Sequence, residues 1–229
     1  KAPSDQPLYQ PFAIDIFSSA KRIDNAGSRF SIPKKYTDVK TNNEFVPPVF
    51  IVQIQIPAEA PALWNSVEDG AGWSMCMFFA ITEQTIHELK NIETASPAVK
   101  LWAKWCEFAE NDKSWRSRFK FISASSNLAE LGVPSYISNY NAKPILIRRT
   151  GTLFRGEGSK YMEFDMHIHK FDYAAKKGIF YMTSLCNEML CQIGYVIEGR
   201  DDEELPETLF GCCALNRPQE TMSPYMFDE

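Results

Sequence analysis

Four side chains able to do acid–base or metal chemistry stand at alternate positions of one short stretch, residues 160–171 (KYMEFDMHIHKF). They are Glu163, Asp165, His167 and His169. A carboxylate beside an imidazole can act as an acid–base pair. A His-x-His pair on a strand can also bind zinc, because both imidazoles point to one side. The third interpretation is that the four residues are only the solvated side of a β-strand.

The alternation of this stretch favours the solvated strand. Side chains at i, i+2 and i+4 of a strand point the same way, so the four residues form one polar row. The residues between them form an apolar row: Met162, Phe164, Met166 and Ile168. Such alternation is typical of a sheet with one face on the core and one toward water. We therefore expect the even positions to be buried and the odd positions to face solvent or a polar groove.

A zinc site is the alternative that the two histidines raise. His167 and His169 would supply two ligands, and Asp165, Glu163 or His87 would supply a third. Neighbours on one face of a strand lie about 7 Å apart at Cα, so a closed site needs further ligands from elsewhere. We predict no metal and no cofactor.

Other catalytic motifs are missing. The chain has no Gly-x-Ser-x-Gly elbow, and residues 155–160 (RGEGSK) lack the order of a phosphate-binding loop. Adjacent Cys212 and Cys213 stand in an apolar strand and are typical of core residues. We predict that the protein is not an enzyme. The alternative is an acyl-processing or metal-dependent enzyme that uses Asp165, His167 and His169.

Composition limits the class of partner. The chain has 229 residues and a net charge of −5, which disfavours nucleic acid. It has no apolar run long enough to span a bilayer. Its six cysteines show no Cys-x-x-Cys spacing, and we read them as reduced, which favours an intracellular site, cytoplasmic or organellar.

One group of basic residues is a candidate for binding an anionic partner, a lipid headgroup or an acidic protein. The alternative is that these side chains are simply solvated. The group is Lys143, Arg148, Arg149, Arg155 and Lys160. A peripheral membrane contact is compatible with it.

The periodicity of the sequence predicts more strands than helices. Strands are expected at 49–57, 73–82, 117–125, 144–156, 161–171, 193–199 and 208–216. Ser96-Pro97 opens a helix over 97–110 with an aromatic face expected in the core, and a second helix is expected over 173–190. The predicted fold is α+β, with a curled, mostly antiparallel sheet packed against two longer helices.

The composition along the chain predicts a division into three segments. Residues 1–48 are a Pro-rich N-terminal arm of the same domain, 49–218 are a single α+β domain, and 219–229 are a loose tail. A cavity between sheet and helix could take an acyl chain, although the same residues could simply fill a core. The candidates for its lining are Met75, Met77, Phe78, Phe180, Met182 and Met189.

Short segments in sequence order also resemble a known family. They are Phe12 to Phe17, Arg22 to Asn25, Val52 to Pro57, Arg118 to Ile122, Tyr161 to Asp165, Thr183 to Leu185, Val196 to Gly199, Glu204 to Glu207, Gly211 and Leu215 to Arg217. Together they resemble the C-terminal domain of the plant Enhanced Disease Resistance 2 proteins, a domain without an assigned activity. Where that family pattern carries Asp, this chain has His167, which argues against a family-wide His-x-His metal site.

The resemblance implies a regulatory, membrane-associated setting. We therefore expect a non-enzymatic module that binds a lipid or a protein. The alternative is a structural subunit that docks into a larger assembly through its N- and C-terminal arms.

Overall fold

The computed structural model describes residues 6–63 and 69–219. The strands in these ranges are β1 (Tyr9–Ser19), β2 (Val49–Pro57), β3 (Gly72–Ile81), β4 (Phe119–Ser125), β5 (Ile145–Leu146), β6 (Gly151–Arg155), β7 (Tyr161–His167), β8 (Leu190–Ile197) and β9 (Leu209–Asn216). The α-helices are α1 (Lys34–Thr37), α2 (Glu83–Leu89), α3 (Pro97–Phe108), α4 (Lys113–Arg116), α5 (Ser135–Ser138) and α6 (Tyr173–Thr183).

The strands form two open sheets. The five-stranded sheet has the order β1-β3-β2-β7-β6, and the four-stranded sheet has the order β5-β4-β8-β9. β2 pairs with β7 in parallel, whereas the other pairs are antiparallel. The α+β class and the mostly antiparallel pairing are confirmed, but the single curled sheet is wrong, because the strands divide between two sheets.

Aromatic side chains join the two sheets face to face. Phe119 of the four-stranded sheet stacks on Phe164 of the other, with 3.9 Å between ring centroids. Tyr195 meets Phe79 edge-on at 5.8 Å, and Phe210 stacks on Trp102 of α3 at 4.4 Å. Rings at these separations bury large apolar areas, so this interface is the main core.

Helix α3 begins where the sequence predicts. The Ser96 side chain accepts a hydrogen bond from the Val99 N–H at 3.4 Å, and Pro97 occupies the first turn. Trp102 and Trp105 are buried, as the aromatic face predicted, although Phe108 is exposed. The second of the two predicted longer helices, α6, is shorter than expected, because it ends at Thr183 rather than at residue 190.

One further predicted element differs. The strand expected over 144–156 is split: Ile145–Leu146 joins the four-stranded sheet and Gly151–Arg155 joins the five-stranded one. Within the Pro-rich first part of the chain, Tyr9–Ser19 forms edge strand β1. The expected loose tail falls mostly on residues 220–229, which lie outside the described residues.

The outer face of the five-stranded sheet is covered by residues 20–36, here called the covering segment. Ile23 and Ala26 of this segment join a second apolar cluster with Ile51 and Phe78 on that face. Strands β2 and β7 are therefore buried on both sides, and every residue of β7 is buried. The polar residues on this face must find their hydrogen-bond partners inside the protein.

Candidate functional site

The polar row of residues 160–171 is buried. Glu163, Asp165, His167 and His169 are each at most 5% exposed. The burial of the even positions is confirmed, but the prediction that the odd positions face solvent or a polar groove is wrong for Glu163, Asp165 and His167. The reason is the covering segment, which occupies the place that water would take on a one-sided sheet.

A turn in the covering segment binds the two carboxyl groups. Asn25 has left-handed backbone angles (φ 54°, ψ 52°), a conformation that Asn tolerates better than most residues. The Asn25 N–H donates to Asp165 Oδ2 at 3.1 Å, and the Gly27 N–H donates to Glu163 Oε2 at 2.7 Å. Backbone N–H groups of one turn that point at acidic oxygens form an anion-binding concavity within the chain.

The two carboxyl groups are buried side by side on the covered face of β7. Burial raises the pKa of both Glu163 and Asp165. Two ionised carboxylates buried together repel each other, so we interpret the pair as sharing one proton. Glu163 Oε1 and Asp165 Oδ1 have no hydrogen-bond partner among the described residues, and a proton between them would satisfy both.

Glutamine side chains of β2 hold the same segment. Gln53 Nε2 donates to the Ile23 carbonyl oxygen and to Ser74 Oγ, both at 3.0 Å. Gln55 Nε2 also donates to the Ile23 carbonyl oxygen. These residues complete what we call the polar layer: Asn25, Gln53, Gln55, Glu163, Asp165 and His167.

His167 is held neutral in this layer. Its Nδ1 lies 3.0 Å from Gln55 Oε1, and its Nε2 lies 2.9 Å from Thr152 Oγ1. Because the Gln55 oxygen can only accept, the proton sits on Nδ1 and Nε2 accepts from the Thr152 hydroxyl. Burial lowers the pKa of His167 to about 4, so the ring is uncharged at neutral pH.

The two histidines of the zinc alternative, His167 and His169, do not lie in one group of potential ligands. One potential ligand atom each from Asp24, Asp165 and His167 lies within 4.8 Å of the others, whereas His169 is not part of this group. Both nitrogens of His167 already have protein partners, and Asp24 pairs with Arg22 at 3.0 Å. The residues therefore work as a hydrogen-bond network, and an ion would have to displace those partners.

The predicted lipid-cavity residues are dispersed. Phe180 lines a cavity of about 200 Å³ at the end of β2, beside α6. The other five lie elsewhere: Met75, Met77 and Met189 are buried in the main core, Met182 packs against that core, and Phe78 is on the opposite face of the sheet. His169 and Lys176 line the cavity with Phe180.

Four of the five basic candidates are exposed. Lys143, Arg148, Arg149 and Lys160 have no ion pair in the described part of the chain, whereas Arg155 is tied into the fold. The Arg155 guanidinium donates to the carbonyl oxygens of Phe45 at 2.9 Å and Cys106 at 2.8 Å, and it pairs with Glu110 at 3.3 Å.

Sequence reasoning did not single out three sets of residues that the structure makes noteworthy. Lys176 stood unnoticed in an amphipathic helix, and no local pattern could have singled it out. Gln53 and Gln55 could have been recognised from the sequence, because two amide side chains interrupt an otherwise apolar strand. Tyr140 could also have been recognised, as an aromatic residue three positions before Lys143, whereas Tyr136 could not.

Among the residues that the structure describes, no helix is long and apolar enough to cross a membrane. No curated protein and no solved structure gives a significant match to the chain. A family model described as "Protein ENHANCED DISEASE RESISTANCE 2, C-terminal" matches residues 1–218, nearly the whole sequence. The segments that carry the resemblance meet in the polar layer, where residues 22–25, 52–57 and 161–165 contact one another. The chain belongs to the family of Enhanced Disease Resistance 2 C-terminal domains.

Proposed function

We propose that this domain is a non-enzymatic lipid-binding module that contacts an anionic membrane surface through residues 136–149. The observation that carries this proposal is a group of exposed aromatic, aliphatic and basic side chains in that range. We call this group the docking surface: Tyr136, Tyr140, Lys143, Ile145, Arg148 and Arg149.

The charge of this region is opposite to that of the chain. The chain carries 29 acidic residues and a net charge of −5, yet no acidic residue occurs between Glu130 and Glu157. A basic surface on an acidic protein supports a specific anionic partner rather than general attraction to anions. Each basic residue close to an anionic leaflet contributes about 1 kcal/mol, so the three of this surface would contribute roughly 3 kcal/mol.

The apolar part of the docking surface favours a bilayer over a soluble anion. Tyr136 is 61% exposed, Tyr140 is 65% exposed and Ile145 is 41% exposed. Tyrosine suits the membrane interface because its ring is apolar and its hydroxyl remains in contact with water or headgroups. A soluble anion would use the charges and leave these side chains in water.

The polar layer supports a role in folding rather than catalysis. Its carboxyl pair and His167 are buried beneath the covering segment, with hydrogen-bond partners inside the chain. A general acid or base must reach the proton that it transfers, and no substrate reaches these groups in this conformation.

Vesicle sedimentation tests the proposal. The protein should sediment with vesicles of phosphatidylcholine and phosphatidylserine but not with phosphatidylcholine alone, and added salt should release it. The triple variant Lys143→Glu, Arg148→Glu, Arg149→Glu should lose this binding.

A matched control changes the net charge equally at exposed lysines elsewhere: Lys90→Glu, Lys104→Glu, Lys113→Glu. This control should retain most of the binding. The proposal fails if the wild type ignores the anionic vesicles, or if both triple variants lose binding to the same extent.

A further inference from the structure

A separate cavity lies between the end of β2 and α6. Its volume is about 200 Å³, and apolar side chains form much of its wall, among them Ile56, Ile168, Ile179 and Phe180. Its rim includes the exposed Glu59, so the cavity opens to solvent. None of these residues belongs to the docking surface.

Lys176 brings a positive charge into this cavity, with no ion-pair partner among the described residues. The residue is 8% exposed, and its Nζ donates to the backbone carbonyl oxygen of His169 at 3.3 Å. Within the described ranges, no carboxylate lies within 4.0 Å of this ammonium group. Buried charges in proteins are normally paired, because desolvation of a lone ion is costly.

His169 adds a second unsatisfied polar group to the same wall. Its side chain is 5% exposed, and neither ring nitrogen has a hydrogen-bond partner among the described residues. Burial lowers its pKa, as do the nearby charges of Arg22 and Lys176, while Asp69 and the Ala71 backbone oppose that shift. A neutral imidazole offers one N–H donor, which an acceptor in the cavity would satisfy.

We infer that this cavity binds a monoanionic carboxylate that carries a short hydrocarbon chain. The carboxylate pairs with the Lys176 ammonium and accepts a hydrogen bond from the His169 imidazole, and the chain contacts Phe180 and its apolar neighbours.

Charge and size select this ligand class. One buried cation is balanced by one negative charge, whereas a phosphate dianion would leave an excess. The cavity is smaller than the roughly 300–1,000 Å³ of sites that enclose drug-sized ligands, so a single short chain fits and a whole phospholipid does not.

Calorimetric titration with octanoate tests this inference, with 1-octanol as the uncharged probe of similar size. Octanoate should bind the wild type more tightly than 1-octanol does. Lys176→Met keeps the length of the side chain and removes the charge, and should weaken octanoate binding by about tenfold or more, as loss of one partner of a buried charge pair does. The neighbouring exposed lysine gives the control, and Lys177→Met should bind octanoate as the wild type does.

Three results would overturn the inference: no octanoate binding by the wild type, equal binding of octanoate and 1-octanol, or full octanoate binding by Lys176→Met. Retained 1-octanol binding shows that Lys176→Met is folded. A measurement on the wild type alone adds a check, because octanoate should shift the imidazole nitrogen resonances of His169 and leave those of the exposed His87 unchanged. Vesicle binding through the docking surface is measured separately, so either proposal can fail without the other.

Discussion

Glu163 and Asp165 lie two residues apart on a strand that is covered on both sides, and we interpret them as sharing one proton. The fold favours the protonated forms, because burial raises both pKa values above those of free carboxyl groups and the neighbouring Glu163 raises the pKa of Asp165 further. In the unfolded chain both groups ionise near pH 4. The stabilisation from the shared proton is therefore complete below about pH 4 and is lost as pH rises through the raised pKa values.

Asp165→Asn should reduce the stability that the protein loses as pH rises. The amide keeps an oxygen that accepts from the Asn25 N–H and supplies an N–H donor toward Glu163, so it imitates the protonated acid. We expect the variant to be more stable than the wild type at alkaline pH by about 1–3 kcal/mol, the cost of an unmade buried hydrogen bond. Urea unfolding between pH 5 and pH 9 measures it.

The exposed Asp201→Asn is the control and should leave the pH dependence unchanged. If Asp165→Asn follows the wild type at every pH, the two carboxyl groups do not share a proton.

His167→Ala should destabilise the protein although its sequence position looked solvent-facing. The substitution leaves a void and removes the partners of Gln55 Oε1 and Thr152 Oγ1, which together cost roughly 2–4 kcal/mol. The exposed His87→Ala should stay within about 0.5 kcal/mol of the wild type. Thermal melts of the two variants compare them, and equal melting temperatures would contradict the burial of His167.

His167 also makes the stability of the fold depend on pH in the acid range. The fold holds His167 neutral down to about pH 4, whereas an unfolded histidine takes up a proton near pH 6.5. Stability should therefore fall as pH drops from about 6.5 toward 4, and His167→Ala should lose this part of the pH dependence.

At the scale of elements, the covering segment determines whether the polar row of β7 is exposed to solvent or buried. Strand β2 has the bounds that the sequence predicted, and the even residues of β7 are buried as predicted. A polar row looks the same in the sequence whether water or another polar segment covers it, so local alternation could not reveal the burial of Asp165. The split of the strand at 144–156 has a similar cause, because the two halves pair with different sheets.

Gly27→Ala tests how tightly the covering segment is packed. A Cβ at Gly27 would lie 2.6 Å from both Glu163 Oε2 and Ile51 Cδ1, so the segment would have to move away from β7. We expect a loss of about 1–3 kcal/mol, typical of overpacking, and faster proteolysis within residues 20–36.

Gly178→Ala is the matched control in α6, where a new Cβ would meet no atom within 4 Å. It should stabilise the protein by roughly 0.5–1 kcal/mol through helix propensity. If both alanine variants behaved alike, close packing at Gly27 would not limit the docking of the covering segment.

At the scale of the whole molecule, the segments that identify the family serve the fold. Residues 22–25, 52–57 and 161–165 meet in the polar layer. A second group of contacts joins Arg118 to Glu204 at 3.0 Å and Lys120 to Glu207 at 2.7 Å, and so links segment 118–122 to segment 204–207. Family membership could therefore be predicted from sequence order, whereas the docking surface and the cavity depend on which side chains the fold leaves exposed or unpaired.

Hydrogen–deuterium exchange of the wild type on vesicles that contain phosphatidylserine tests the central claim most directly. If the domain contacts the membrane through the docking surface, amides in residues 135–149 should exchange more slowly on these vesicles than in solution. Residues 90–113, which carry the control lysines, should exchange at an unchanged rate. Protection of residues 90–113 instead, or no protection of residues 135–149 in protein that is bound to vesicles, would contradict the account.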